Sequence, residues 1–593
     1  MMKPFSRDIE KDRPAFLAVS QHLRERRLVV FFWALALLLG AVQAWTGRNA
    51  MNEDGIAYLD IGDAYLRGDW SSALNSYWGP FYSWFLGLTL FILKPSPHWE
   101  FAVVHLVNFA IFVGTLWCFH FFLAELVDQQ QRSFKASEQE MVGLPPKAFF
   151  ALGYALFVWF SLDWISIRIV IPDMGVSAVV YLASGLLLRM QRQRENWSNF
   201  ILLGVVLGCG YLIKYPLFPL AFVFLTISVF SLRNARKGLT RALVALVVFL
   251  AIGGPLFVAF SYRAGHITFE DSGRLNYAWN VNGVPSYAHW QGGPPGDGKA
   301  THATRENLEG ISVYEFEKPN WGTYSLWYNP VYWHEGLRVH FHFRKQLTKL
   351  IATSRIYFDM FFRLQAALTA GFLVLFMMGG RGWKCLTNIA QQWRVLIIPF
   401  TALGMYSLVR VDLRFVAPFI ILLWTGLACA VEYRANSSES RKAVSCVTAA
   451  MVIVVMITTF ATTVSTALAD VSGGANSTNS LAFVQYRVAD ELRRERIRPG
   501  DEVAFIGSSF AAYWARLARV RIVAEIVPED ADKFWAADMT AKERIINAFR
   551  RTNATIIVTD NIPAFSSPGR WQRILGTNYY VFPLRQPSLS AQR

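Results

Sequence analysis

Long apolar runs, separated by short gaps rich in lysine and arginine, recur along the 593-residue chain. A helix of about 20 apolar residues crosses a bilayer, so each run is a candidate span. The runs fall at about 28–46, 99–127, 148–163, 168–190, 198–213, 216–232, 240–260, 358–379, 395–409, 414–432 and 443–465. The pattern predicts an all-α polytopic membrane protein with about 11 transmembrane helices. The first run lacks a small-residue cleavage site after it and reads as a retained signal anchor.

Basic clusters orient these spans. They are Lys3, Arg7, Lys11, Arg13, Arg24, Arg26 and Arg27 at the N-terminus, then Arg189, Arg192 and Arg194, then Arg233, Arg236, Lys237 and Arg241, then Arg381, Lys384 and Arg394, and finally Arg434, Arg441 and Lys442. The positive-inside rule puts all of them, and the N-terminus, in the cytoplasm. A twelfth apolar run at 80–94 would invert every later basic loop. It reads instead as an interfacial or re-entrant helix on the outer side, opened by Gly79-Pro80. The runs 198–213 and 216–232 are either one proline-kinked helix or a hairpin. The kinked helix leaves Lys214 at the bilayer centre, at a cost of a few kcal/mol. The hairpin puts Lys214 at the outer tip and is favoured.

This topology sends the loop 47–79, the turns at 163–168, 214–216 and 410–414, and the long loop 261–357 to the outer face. The domains expected are a transmembrane unit over 1–465 and a small extracytoplasmic α/β domain over 466–593, entered through the polar stretch 472–477. In the tail, strands are expected at 502–507, 520–526, 554–559 and 579–584, with helices near 481–497 and 532–551. Ile506-Gly507-Ser508-Ser509 reads as a structural turn more than an anion site. Residues 337–350 read as a surface amphipathic helix. The aromatic residues of the long loop, Trp279, Trp290, Trp321, Tyr324, Trp327, Tyr328, Tyr332 and Trp333, suit either sugar faces and lipid tails or an interfacial belt.

Composition narrows the function. The formal net charge of +16 is explained by the cytoplasmic loops, so nucleic acid is excluded as a partner. The five cysteines, at 118, 209, 385, 429 and 446, lie in or beside apolar runs and form no disulfide framework or zinc motif. His289, His302, His334, His340 and His342 show no metal-site spacing and read as scattered surface histidines. The sequence points to no particular cofactor and leaves a divalent cation open.

The candidate chemistry gathers on the outer face. The first loop carries Glu53, Asp54, Asp60, Asp63 and Asp69. Asp63 and Asp69 fit a solvated acidic loop, whereas Asp54 and Tyr58 precede an element expected to fold over them. If residues 54–67 are helical, Asp54 caps the start. Asp173 follows Pro172 near the outer end of its span and is a functional suspect, or else pairs with Arg168 or caps its helix. Arg168, Lys214, Arg410 and Arg414 break the positive-inside bias, and a phosphate held between them would explain it. An ionised Asp54 could take the proton of an attacking hydroxyl, while the cations stabilise a departing phosphate.

Asp54-Gly55-Ile56-Ala57-Tyr58, Trp78-Gly79-Pro80-Phe81-Tyr82, Pro172-Asp173, Gly208-Cys209-Gly210-Tyr211-Leu212-Ile213-Lys214 and Arg414-Phe415 with Pro418 occur in this order. In that order they resemble elements of the GT-C glycosyltransferases that use polyprenyl-phosphate sugars. The likeness is to the bacterial branch of the protein O-mannosyltransferases and the lipid A aminoarabinose transferase, over about 28–260 and 410–418. The resemblance implies an inverting glycosyltransferase of the plasma (inner) membrane. Its partners would be a polyprenyl-phosphate sugar donor, membrane lipid and an extracytoplasmic acceptor (glycolipid, polysaccharide or protein). Asp54 would be the base, with Glu53 as the alternative. Lys214, Arg414, Arg168 and Arg410 would hold the donor phosphate, supported by Asp173 and Tyr58. A lipid or glycolipid transporter or flippase is the alternative.

Overall fold

The computed structural model describes residues 13–135, 141–193, 196–232, 234–302, 305–316, 322–379, 382–434, 437–474, 481–566 and 568–584. Arg194, Arg233, Arg381 and Trp321 lie outside the described residues, as do Lys3, Arg7 and Lys11. A helix stands at each of the 11 predicted positions, but among the described residues only six helices are long and apolar enough to cross a membrane. They are Glu25–Thr46, Pro97–Phe134, Pro146–Ile165, Asp173–Arg192, Ala235–Ala264 and Ser438–Asp470. Phe343–Leu364 and Ala366–Met378 make a seventh if the pair, bent by 77°, is one span. Ser198–Ile213, Leu217–Val229 and Leu413–Cys429 are shorter apolar helices. At 1.5 Å per residue they extend only about 20–26 Å, short of a hydrocarbon core of about 30 Å.

In Glu25–Thr46, Ala235–Ala264 and Ser438–Asp470 only 28% of the most apolar stretch is buried in the protein. Leu38, Val247, Val258, Ile453 and Ile457 point outward. A multi-pass membrane protein gives these side chains a hydrocarbon environment; water would not.

Lys214 sits at a reversal of chain direction. Glycines 204 and 208 press on Val248 and Ile252, and Tyr215 meets Phe260 at 5.7 Å, so Ser198–Ile213 runs alongside Ala235–Ala264 in the same sense. Phe222 meets Phe249 at 6.0 Å and Gly238 abuts Val229, so Leu217–Val229 runs in the opposite sense. The two short helices are therefore a hairpin, and Ala235–Ala264 is its third strut.

Helix Glu53–Leu66 and helix Pro80–Leu93 cross where both are glycine. A Cβ on Gly62 would lie 2.7 Å from the Ser83 carbonyl oxygen and 3.2 Å from Gly87 Cα. Pro80 opens the second helix at its first turn, where the missing N–H costs nothing. Tyr82, Ser83 and Leu86 face inward, while Trp84, Phe85, Leu88, Phe91, Ile92 and Leu93 stay exposed.

Among the described residues, nine strands form two sheets. Strand β1 (Met141–Gly143) pairs with β4 (Glu432–Arg434). The others are β2 (Arg305–Leu308), β3 (Ile311–Glu315), β5 (Glu502–Ile506), β6 (Arg521–Ile526), β7 (Ile556–Thr559), β8 (Gln572–Arg573) and β9 (Tyr580–Pro583). They form one seven-stranded sheet in the order β2-β3-β6-β5-β7-β9-β8. Strand β5 is parallel to β6 and β7, and the other pairs are antiparallel. The tail is thus an α/β layer, but its sheet is completed by the β2-β3 hairpin of the long loop. One helix was expected over 532–551; two form, Pro528–Ala536 and Met539–Arg551, because Asp538 caps the second by accepting from Ala541 N. Gly507, at φ 127°, makes the turn after β5, and Asp560 fills its concavity by accepting from Ser508 N at 3.0 Å.

The loop aromatics are neither a belt nor an open platform. Tyr324, Trp327, Tyr328 and Trp333 are buried together with Trp514 and Phe505 of the tail, in one core shared by the loop and the tail. His289 and His334 are also buried, contrary to a surface reading.

Candidate functional site

Asp54 is placed by the start of its helix. The cap position belongs to Asn52 and not to Asp54, which is the second helical residue. Asn52 makes no cap hydrogen bond. Its amide instead bridges to Val170, accepting from Val170 N at 2.8 Å and donating to Val170 O at 3.4 Å. Gly55 lies flush on Val170, where a Cβ would come within 2.7 Å of its side chain. This close approach is the local reason for glycine after Asp54. The Asp54 carboxylate is left free to point across a cavity.

That cavity, of about 230 Å³, is lined by Asp54, Tyr58, Trp78, Asp173, Lys214, Arg410, Arg414 and Phe415 among others. Arg414 lies on the first turn of Leu413–Cys429, capped by Asp412. Its guanidinium is 3.6 Å from Asp54 Oδ2 and 3.9 Å from Asp412. Arg410 pairs with Asp412 at 3.2 Å. Lys214, in extended backbone at the hairpin tip, donates to Asp173 Oδ1 at 2.6 Å. The pairing expected between Asp173 and Arg168 is therefore replaced by one with Lys214. All three cations gather over one ring: Lys214 Nζ is 3.9 Å, Arg414 Cζ 5.1 Å and Arg410 Cζ 5.7 Å from the centroid of Phe415. An aromatic face attracts cations at such distances.

Burial pushes the Asp54 carboxyl up from 3.8 to about 6, with Arg414 and Lys214 opposing and Glu53 and Asp173 adding to the rise. Burial likewise lowers the Lys214 ammonium, against the pull of Asp173. Asp54 is thus mostly ionised at neutral pH and more basic than a free aspartate, as suits a general base. Tyr58, one helical turn on, packs edge-on against Trp78 at 5.2 Å and Tyr82 at 5.1 Å. These rings form the cavity wall below the carboxylate.

Two of the expected site residues lie elsewhere. Glu53 accepts from Tyr513 of the tail at 3.3 Å and does not line the cavity. Arg168 pairs with Asp470 at 2.7 Å and lines a second cavity of about 470 Å³, together with Gln43, Met51, Asn52, Asp163, Ser166 and Thr462. The two cavities are back to back. Residues 50–52 and 168–169 face the second, while 54 and 171–173 face the first. The Asn52–Val170 bridge is the partition between them.

Three features had no adequate signal in the sequence. Asp63, expected in solvent, joins Asp60 and Glu100 around the buried Arg516: Arg516 meets Asp63 at 2.6 Å, Asp60 at 2.9 Å and Glu100 at 2.8 Å. Arg519 also pairs with Glu100. This network clamps the tail onto the helix that carries Asp54. Second, His289, Tyr324 and Ser509 converge on the buried Glu525 of β6. Third, Tyr77, Glu270, Asn276 and Tyr287 complete the first cavity, with the Tyr77 and Tyr287 hydroxyls 2.8 Å apart. Among the described residues, no group of three or more His, Cys, Asp or Glu side chains converges to hold a metal ion.

No family model and no curated protein matches the chain. Among solved structures, it is similar to ArnT from Cupriavidus metallidurans, both in the apo state and bound to undecaprenyl phosphate. That match has 12% identity and a TM-score of 0.49, over 94% of this chain and 98% of the other. It is also similar to the Archaeoglobus fulgidus oligosaccharyltransferase, at 13% identity and a TM-score of 0.44, over 90% of this chain and 69% of that one.

Proposed function

We propose that the protein is an inverting glycosyltransferase that moves a sugar from a polyprenyl-phosphate donor to an acceptor outside the cytoplasm. One observation carries this reading: a single cavity holds a half-buried carboxylate with a raised pKa and three cations drawn over one aromatic ring. Lys214, Arg414 and Arg410 bind the donor phosphate. The acceptor oxygen forms the new bond to the anomeric carbon as the bond from that carbon to the phosphate oxygen breaks. Asp54 takes the acceptor's proton, and the cations stabilise the charge gathering on the departing polyprenyl phosphate. A phosphate leaving group needs no general acid. Inversion requires the acceptor to arrive on the face opposite the phosphate; the second cavity lies behind the Asn52–Val170 partition. Arg168 belongs to that side and not to the donor phosphate site. The sequence resemblance at Asp54, Lys214 and Arg414-Phe415 supports the same roles.

The test is transfer from a radiolabelled donor by the nanodisc-embedded protein. Asp54→Asn should reduce transfer at least a hundredfold while leaving binding of undecaprenyl phosphate intact. Wild-type transfer rates in that variant would sink the assignment. Movement of labelled lipid across proteoliposomes without sugar transfer would instead favour a flippase.

A further inference from the structure

The donor cavity holds a second carboxylate that phosphate chemistry does not need. Glu270 lies just beyond helix Ala235–Ala264 and lines the same cavity as Asp54 and the three cations. An anion in a phosphate-binding cavity works against the ligand unless it has another partner. Glu270 has no cation of its own: nearby Arg274 pairs with Asp271 at 3.3 Å, and no described residue forms an ion pair with Glu270. Oε2 is occupied, accepting from Ser272 Oγ and from Gly273 N, each at 2.5 Å. The Ser272 backbone donates to the same carboxyl.

Its backbone is fixed on both sides. Tyr211 Oη donates to Phe269 O at 2.7 Å, and the Phe269 ring stacks on Phe218 at 4.6 Å. Asp271 N donates to Ser76 O at 3.0 Å, while Ser76 Oγ donates to Asp271 Oδ2 at 2.8 Å. Thr268 and Ser261 exchange hydrogen bonds just upstream. A side chain held this firmly is preorganised for recognition. The polar groups beside it in the cavity, Asn276, Tyr77 and Tyr287, are neutral hydrogen-bonding groups.

We infer that Glu270 is a specificity-determining residue for the donor: it accepts hydrogen bonds from the sugar's hydroxyl or amino groups, at the wall away from the cations. This inference rests on the transferase reading above and names which wall of the cavity reads the sugar. A carboxylate accepts stronger hydrogen bonds than a neutral amide does, and two adjacent sugar donors can share it.

The two ends of the donor respond oppositely to this residue, which separates recognition from a purely structural role. Bare undecaprenyl phosphate touches only the cations, so Glu270→Gln, which removes a repelling charge, leaves its binding unchanged or tighter. A sugar-bearing donor loses its partner and binds more weakly. The experiment measures binding of undecaprenyl phosphate and of a panel of undecaprenyl-phosphate sugars to the full-length protein in nanodiscs. The expected result is about a tenfold loss for the sugar that wild type prefers, with no loss for the bare lipid phosphate. Retained binding of the bare lipid phosphate also shows that the variant is folded, and Glu270→Asp, which keeps the charge, should recover part of the preference. If wild type binds both ligands and Glu270→Gln weakens both equally, or neither, the assignment of Glu270 is overturned while the transferase reading stands. If wild type binds neither ligand, the transferase reading fails and this inference falls with it.

Discussion

Replacing Asp54 by asparagine should inactivate the protein and stabilise it at the same time. The magnitude follows from the site. In the fold the carboxyl titrates at about 6, against an ordinary 3.8, chiefly through burial. A raised acid prefers its proton in the folded state, so its favourable contribution is complete below the unfolded value and is lost as pH rises through the folded one. Between about pH 4 and pH 6 the unfolded chain has released this proton and the folded chain has not. Stability therefore falls by about 1.4 kcal/mol per pH unit across that window, or roughly 3 kcal/mol in total. Asparagine cannot ionise and escapes this loss. The variant and wild type should be equally stable near pH 4, and the variant should be more stable by roughly 3 kcal/mol at pH 7 and above. Denaturant titrations in detergent at pH 4, 5, 6 and 7.5, paired with donor turnover, read both effects. A variant less stable than wild type at pH 7.5, or a gap independent of pH, would refute the claim that Asp54 is held against its own solvation.

Other outcomes follow from the ion pairs. Lys214→Met strands the buried Asp173 and should destabilise the fold by about 3–5 kcal/mol; adding Asp173→Asn should restore stability in the same titration but not donor binding. Arg516→Leu leaves Asp60 and Glu100 buried without their shared partner, so a loss of about 3–5 kcal/mol should appear as faster hydrogen exchange across 481–584 and 53–66, with the membrane helices unaffected. On the proposed function the ionised form of Asp54 is the active one, so kcat/KM should fall as pH drops below about 6, with the slope of a single proton. Bound donor phosphate competes for Arg414, so the corresponding break in kcat should lie at higher pH; a break at the same pH in both profiles would mean that the phosphate does not reach Arg414.

What could be read from the sequence divides along local and distant causes. The helix at each apolar run, the hairpin at Lys214 and the tail strands near 502–507, 520–526, 554–559 and 579–584 follow from periodicity and from where charge is tolerated. The junction of Asp54, Asp173, Lys214 and Arg414 was legible because each residue carries a local anomaly, a charge where an apolar or neutral residue is expected. Span length was not, because a run of apolar residues does not show where a helix stops at Lys214 or where Pro216 and Asp412 begin the next. Arg168 carried the same anomaly as Lys214, and only the fold assigns it to Asp470 and the second cavity. Asp63 looked like any loop carboxylate because its partner Arg516 is more than 400 residues away. The aromatic loop misled for a related reason. Trp327 and Trp333 have the composition of a binding platform, but the tail domain that buries them is distant in sequence.

The arrangement around Phe415 explains why so many ion pairs stand in a site meant for an anion. Three cations converging without compensation would repel one another and destabilise the empty fold. Asp54, Asp173 and Asp412 each neutralise one or two of them at rest. These pairs are unequal. Asp173 holds Lys214 at 2.6 Å and Asp412 holds Arg410 at 3.2 Å, while Arg414 stands 3.6 Å from Asp54 and 3.9 Å from Asp412. On the proposed function, an arriving phosphate, with more charge and more acceptor oxygens, takes most easily the cation that is held least well, which is Arg414. Asp54 is then left beside a new anion and without its cation, and its affinity for a proton rises at the moment the acceptor hydroxyl must give one up. The loosely held Arg414 thereby ties donor binding to activation of the base, and neither the base nor the phosphate site has to move far for the two to act together.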